Sequence, residues 1–201
     1  MQGHCFFVAG IGTNIGKTHF IINSCKDDKN YFAIKPIISG FKNNDLNSDS
    51  ALILNSLQLE INQQNLDMIS PWRFELGASP HIASKQEIDF DKVVNFCQNH
   101  IKKSLKLNKK LLIESAGGIM TPINKNKTFL DLAQELSLPI ILVTANFLGS
   151  ISQTLCCIEA IKTRKLEIIK IIVNKNPNSQ NEDSKISDSD FYNYITNYLI
   201  S

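Results

Sequence analysis

The sequence predicts an α/β fold of three layers around a central, mostly parallel sheet, and three observations carry that prediction. Short apolar runs without alternation recur at 5–9, 31–34, 111–113, 139–143 and 168–173. Stretches of helical periodicity separate them, as when strands are buried on both faces beneath crossover helices. The first run leads directly into Gly10-Ile11-Gly12-Thr13-Asn14-Ile15-Gly16-Lys17-Thr18, and apolar Phe20, Ile21 and Ile22 follow. Strand, glycine loop and helix in that order form a phosphate cradle. Glycines let successive backbone N–H groups turn toward phosphate oxygens. The helix N-terminus adds partial positive charge. Lys17 would reach the β- and γ-phosphates, and the Thr18 hydroxyl would ligate Mg²⁺. The fold is therefore P-loop NTPase-like, although the glycine usual four residues before the Gly-Lys pair is replaced by Ile11, flanked by Gly10 and Gly12. A plain glycine turn entering a helix is the alternative, and the Gly-Lys-Thr tail argues against it.

The remaining elements follow in order. After the first helix, the strand at 31–34 leads into Lys35-Pro36. A helix is expected from Asp49 to about Leu59, with Ala51, Leu52 and Leu54 as apolar positions and Ser48 as N-cap. Residues 60–88 read as irregular, punctuated by Pro71 and Pro80. An amphipathic helix spans 89–105 through Val93, Val94, Cys97, Ile101 and Leu105. The strand at 111–113 ends at Glu114, and 128–136 is helical. The strand at 139–143, a helix at 150–163 and the strand at 168–173 complete the alternation. Residues 175–187 form a solvated polar loop, and a terminal helix covers 188–200 with Phe191, Tyr194, Ile195, Tyr198 and Leu199. Crossovers should be right-handed and ligands should gather at the C-terminal strand ends.

The 201 residues fit a single domain, 1–201, with a sizeable core. Hydrophobic residues make up 43% and charged residues 20%, a globular balance, and the net charge of +2 points to no polyanionic partner. No basic-aromatic interleaving supports nucleic acid binding. No apolar run reaches the ~20 residues of a membrane span. The start of the chain lacks the basic, apolar and cleavage regions of a leader. Cys5, Cys25, Cys97, Cys156 and Cys157 are odd in number and lack CxxC spacing, so free thiols in a reducing cytoplasm are expected.

Two further charged positions stand out. Lys35 follows a strand and so sits on the rim beside Lys17, where a second cation would hold a transferring phosphoryl group. Glu114 ends a buried strand and precedes Ser115-Ala116-Gly117-Gly118. A carboxylate there needs a partner, since burying it alone is costly. Thr18, Asp49 and Glu114 would offer Mg²⁺ three protein oxygens, with phosphates and water completing an octahedron. Gly117 and Gly118 would allow close backbone approach to a ligand. His81, in Ser79-Pro80-His81, could act as a base but has no sequence-evident nucleophile to serve, and Trp72 and Phe74 read as packing residues.

These pieces resemble dethiobiotin synthetase. The matching segments are Gly10–Thr18, Lys35-Pro36-Ile37-Ile38-Ser39-Gly40, Asn47-Ser48-Asp49, Ser79-Pro80-His81, Glu114-Ser115-Ala116-Gly117-Gly118 with Thr121-Pro122, Leu148-Gly149-Ser150-Ile151, and Val173-Asn174. The resemblance implies a homodimeric cytoplasmic enzyme with its site at the subunit interface. It implies closure of the ureido ring of dethiobiotin from 7,8-diaminononanoate, CO₂ and MgATP, through a carbamate and a carbamic-phosphoric anhydride. Residue by residue, it implies that Lys17, Lys35 and Thr13 act on the transferring phosphoryl group. Gly12, Thr13, Asn14, Ile15, Gly16, Lys17 and Thr18 would hold the nucleotide, with Asn174 at the adenine. Thr18, Asp49 and Glu114 would hold Mg²⁺. Ser39, Gly117 and Gly118 would orient the diamine or carbamate, and Gly149, Ser150, Ile151 and Ser152 would receive the substrate carboxylate at a helix start. The chain departs from the family pattern at Asn14, Ser115 and Ser152, where an acidic residue, a glycine and an asparagine are common. Competing readings are a nucleotide-binding module without turnover and a partner-regulated P-loop ATPase. The second lacks support because no additional lysine lies within residues 10–16.

Overall fold

The computed structural model describes residues 4–43, 45–175 and 187–200. In chain order the elements are β1 (Cys5–Gly10), α1 (Lys17–Asp27), β2 (Tyr31–Ile34), β3 (Ile37–Ser39), α2 (Asp49–Ser56), α3 (Gln63–Ile69), β4 (Trp72–Phe74), α4 (Pro80–Ala83), α5 (Phe90–Lys106), β5 (Lys110–Glu114), α6 (Phe129–Leu136), β6 (Ile140–Asn146), α7 (Ser150–Thr163), β7 (Ile168–Lys175) and α8 (Asp188–Ile200). Five strands form the main sheet in the order β2-β5-β1-β6-β7, and every pairing is parallel. The expected parallel α/β architecture is what forms.

The alternation-free strands explain themselves through burial. Phe7, Val8, Ala9, Leu111, Leu112, Ile113, Ile140, Leu142 and Val143 are all buried. A strand sandwiched between helices has no solvent face to decorate with polar residues. The right-handed crossover rule sends the β1–β2 connection over one face of the sheet. It sends the β2–β5, β5–β6 and β6–β7 connections over the other. The packing agrees for the second face, where α5 lies against α6, while α2 packs beside α1 before the β2–β5 connection crosses over. Consequently the chain leaves β1 toward one face and leaves the neighbouring β5 toward the other. That reversal opens a crevice at the C-terminal ends of β1 and β5, the usual place for a ligand in such sheets.

Helix boundaries are set by local chemistry. Ser48 caps α2 by accepting from the Ala51 N–H at 3.3 Å. Thr128 caps α6 in a reciprocal capping box with Asp131, which satisfies N–H groups that have no intrahelical acceptor. The helix expected to reach Leu59 stops at Ser56.

The stretch 60–88, expected to be irregular, instead carries α3, β4 and α4. Asn62 caps α3, accepting from the Asn65 N–H at 2.9 Å, and Pro80 opens α4 at a position where its missing N–H costs nothing. These elements are too short to show periodicity. β4 pairs in parallel with β3, also unexpected, as a separate two-stranded sheet. The polar loop expected over 175–187 lies, apart from its two ends, outside the described residues; the expected terminal helix is α8. No helix among the described residues is long and apolar enough to cross a membrane. All five cysteines are free thiols.

Candidate active site

At the mouth of the β1–β5 crevice lies a cavity of about 260 Å³ lined by Thr13, Asn14, Gly16, Lys17, Thr18, Lys35, Asp49, Glu114 and Gly117. Four separate sequence regions converge there. β1 delivers the glycine loop, the turn after β2 and the start of α2 deliver Lys35 and Asp49, and β5 delivers Glu114.

The loop wraps the start of α1. Asn14 and Gly16 take left-handed backbone angles, φ 57° and 91°. Glycine reaches such angles at no steric cost, and asparagine is among the few other residues that tolerate them. The Lys17 ammonium folds back and donates to the Gly12 carbonyl at 2.7 Å, which draws the loop into a ring around the cavity. The loop packs against the segment after β5. The Ile119 N–H donates to the Gly10 carbonyl at 2.8 Å. A β-carbon on Gly118 would stand 3.0 Å from the Ile11 carbonyl oxygen, so the sequence needs glycine there for close approach rather than for an unusual angle.

The charged groups interlock. The Lys35 ammonium donates to Asp49 Oδ2 and, at 2.8 Å, to Glu114 Oε1. The Thr18 hydroxyl donates to the same Glu114 oxygen at 2.7 Å. Lys17, Lys35 and Glu114 are all buried. Burial pushes the Lys17 ammonium down to about 8; attraction to Glu114 offsets part of that, and Lys35 adds repulsion. Burial works on Lys35 in the same direction, but the Glu114 and Asp49 carboxylates outweigh it and hold its pKa above the ordinary lysine value. Asp49 is the mirror case: burial opposes its charge, yet Lys35 keeps its carboxyl below the usual range.

The donor set fits Mg²⁺. The second Glu114 oxygen, Oε2, is buried and makes no hydrogen bond among the described residues. An unsatisfied buried carboxylate oxygen costs free energy unless a cation or donor meets it. Thr18, Asp49 and Glu114 are hard oxygen donors of the type Mg²⁺ prefers. The described residues contain no group of three or more His, Cys, Asp or Glu placed to hold a metal. Such an ion would therefore also draw on the Thr18 hydroxyl, phosphate oxygens and water.

Other expected site residues lie around this centre. Gly117 adopts φ +68° and lines the cavity; a β-carbon there would collide with the Thr121 hydroxyl at 2.5 Å. Ser39 ends β3 outside the cavity lining, and its hydroxyl is buried without a partner among the described residues. Gly149 is the left-handed N-cap of α7, φ 90°. The Ser150 N–H, expected to be free for a ligand, instead donates to the Phe147 carbonyl at 3.0 Å. The Ser150 hydroxyl is also turned into that bend, donating to the same carbonyl at 2.6 Å. The bend before the helix is tight enough to consume Ser150, which leaves Ile151 and Ser152 as first-turn amides without intrahelical acceptors. His81 lies exposed on α4 and does not line the cavity. Trp72 packs edge-on against Phe96 at 5.6 Å. Asn174, expected only at the base, donates from its side-chain amide to the Ile15 carbonyl at 2.8 Å. Nothing in the sequence marks that contact, because the partners lie 159 residues apart.

Comparison with known proteins shows which family and fold the chain shares. Residues 4–190 match a family described as an AAA domain. A protein of Legionella pneumophila strain Paris called ATP-dependent dethiobiotin synthetase BioD is 40% identical over 173 residues, covering 81% of this chain and 76% of that one. A protein of the same name from Acidiphilium cryptum is 33% identical over 178 residues, covering 84% and 78%. In fold, the chain resembles a ParA family ATPase from Chlorobium tepidum, with a TM-score of 0.53 at 15% identity over 96% of this chain and 81% of that one.

Proposed function

The chain belongs to the ATP-dependent dethiobiotin synthetase family, and from that premise we propose how its own residues perform the ATP-dependent formation of dethiobiotin. Residues Gly12 to Thr18 hold the triphosphate, with loop amides and the helix terminus directed at its oxygens. Thr13 hydrogen-bonds a phosphate oxygen. Lys17 and Lys35 neutralise charge that builds on the γ-phosphoryl group as it transfers. Thr18, Asp49 and Glu114 hold Mg²⁺, which when bound screens phosphate charge and orients the triphosphate. Asn174 meets the base.

The chemistry divides into three steps. One amine of 7,8-diaminononanoate captures CO₂ and loses a proton, giving a carbamate. A carbamate oxygen attacks the γ-phosphorus and ADP leaves, giving a carbamic-phosphoric anhydride. The second amine attacks the carbamoyl carbon, phosphate departs and the ureido ring closes. The protein contributes positioning and electrostatics. Ser39 and the Gly117-Gly118 backbone orient the diamine and carbamate. The single observation that carries the proposal is the convergence of Lys17, Thr18, Lys35, Asp49 and Glu114 on one cavity.

The substrate carboxylate lies several methylenes from the reacting amines, so it needs a second anion site. We place it at the start of α7, at Gly149, Ile151 and Ser152, with Ser150 shaping the bend. We further propose a homodimer in which the partner subunit completes the site, working in the cytoplasm, where the five free thiols stay reduced.

Phosphate release dependent on 7,8-diaminononanoate, CO₂ and MgATP tests the assignment. Lys17→Ala should abolish it, since no other cation can occupy the loop; near-normal turnover would remove the phosphate loop from the mechanism. ATP binding without diamine-dependent release would favour a nucleotide-binding module without turnover.

A further inference from the structure

The far edge of the sheet reaches back to the phosphate loop at one point. β7 pairs with β6 so that Asn174 stands beside Ala145, and from there its side-chain amide donates to the Ile15 carbonyl at 2.8 Å. The approach is close. A β-carbon on Gly16 would lie 2.3 Å from Asn174 Nδ2, so the amide fills space that any side chain at position 16 would need.

The peptide joining Ile15 to Gly16 is planar and trans, so its carbonyl and its N–H point in opposite directions. Holding the Ile15 oxygen against Asn174 therefore turns the Gly16 N–H the other way. Gly16 lines the phosphate cavity, and Asn174 does not. A second tie on the loop is the Lys17 ammonium on the Gly12 carbonyl. Lys17 uses one of its three N–H donors on that carbonyl and would share itself between it and the phosphate oxygens when a ligand binds. The Asn174 tie is neutral, lies outside the cavity lining and makes no demand on Lys17, so it can persist while the ligand is bound.

We propose that Asn174 is a positioning residue for the phosphate loop: by fixing the Ile15 carbonyl it presets the Gly16 amide toward the β- and γ-phosphates, whatever base the nucleotide carries. This rests on the reading of residues 10–18 as a triphosphate cradle. It assigns Asn174 work on the triphosphate in addition to any contact with adenine.

The test uses inorganic tripolyphosphate, which has no base, beside ATP, GTP and CTP, all with Mg²⁺ and measured by calorimetry. Asn174→Leu keeps the approximate shape, removes the donor and adds no charge. The expected result is a loss of roughly tenfold in affinity for all four ligands, the scale of one hydrogen bond with its buried acceptor left unpaired. Faster hydrogen exchange at the Gly16 amide should accompany it, with exchange across β5 unchanged. Should the leucine variant not fold, Asn174→Ala removes the same donor and is judged by the same ratios. Unchanged tripolyphosphate affinity with a loss confined to ATP would overturn the proposal and leave Asn174 as a base contact alone. If the parent binds nucleotides but not tripolyphosphate, equal losses for ATP, GTP and CTP support the proposal, and a loss for ATP alone overturns it. Failure of the parent to bind any of the four would instead overturn the reading of the phosphate loop itself.

Discussion

At the scale of single residues, Glu114 joins Thr18 to Lys35 in the site. One of its oxygens accepts from both Thr18 and Lys35, while the other is buried without a hydrogen bond among the described residues. Glu114→Gln and Asp49→Asn should each cut turnover by roughly tenfold or more and move the Mg²⁺ dependence to higher concentration. If both variants titrate with Mg²⁺ like the parent, these carboxylates serve only to hold Lys35. The glycines offer a steric contrast. A β-carbon on Gly118 meets backbone of Ile11 at 3.0 Å, whereas one on Gly12 meets nothing within 4 Å. Gly118→Ala should therefore destabilise the nucleotide-free protein by about 1–3 kcal/mol, while Gly12→Ala leaves it unchanged; denaturant midpoints compare the two. Much of this site was legible in the sequence. Gly-Lys-Thr after an apolar strand and a glutamate ending another are local patterns with few alternative explanations. The Lys35 bridge between two carboxylates and the Asn174 contact were not legible, because both depend on how distant strand ends meet.

Elements show a similar division. Long helices and buried strands declared themselves through periodicity and through its absence. The pair β3 and β4, with three residues each, could not, since so short a run carries no period. Some element ends were legible, the start of α2 through its Ser48 cap and the bounds 31–34 and 150–163 through where the apolar pattern starts and stops, whereas the end of α2 was not. The Thr128 cap yields a prediction about acid stability. The Asp131 carboxylate accepts from the Thr128 N–H and hydroxyl, both at 2.8 Å, and from Arg164 at 3.0 Å, which ties the start of α6 to the end of α7. Burial would raise its pKa, but the Thr128 bonds and Arg164 outweigh burial and lower it. A carboxyl with a lower pKa folded than unfolded stabilises fully above the unfolded value, and that contribution fades as pH falls through the folded one. Asp131→Asn should thus cost roughly 1 kcal/mol at neutral pH. The gap from the parent should narrow below about pH 4. A gap that stays constant down to pH 2 in urea melts would show that the charge contributes nothing.

For the molecule as a whole, strand direction was legible and strand order was not. Unalternating strands separated by helices imply parallel pairing, but nothing local says which strand lies in the middle. Assembly is testable at this scale. Leu148 is 90% exposed immediately before the left-handed Gly149, on the turn proposed above to receive the substrate carboxylate in a site that a partner subunit completes. Leu148→Glu should shift a dimer toward monomer in sedimentation velocity and raise the diamine KM roughly tenfold, as loss of an interface anchor would, with the ATP KM little changed. A monomeric parent, or a dimeric variant with unaltered constants, would remove the shared site. The sheet order also has a consequence during synthesis. β1 is the central strand, and its partners β5 and β6 begin about 105 and about 135 residues later; at roughly 5–20 residues per second, the ribosome needs on the order of 5–30 s to supply them. Until then Cys5-Phe6-Phe7-Val8-Ala9 is an apolar strand with no sheet to join. The segment that will become the centre of the core is therefore the one a nascent chain exposes longest, and the one a chaperone would have most reason to cover.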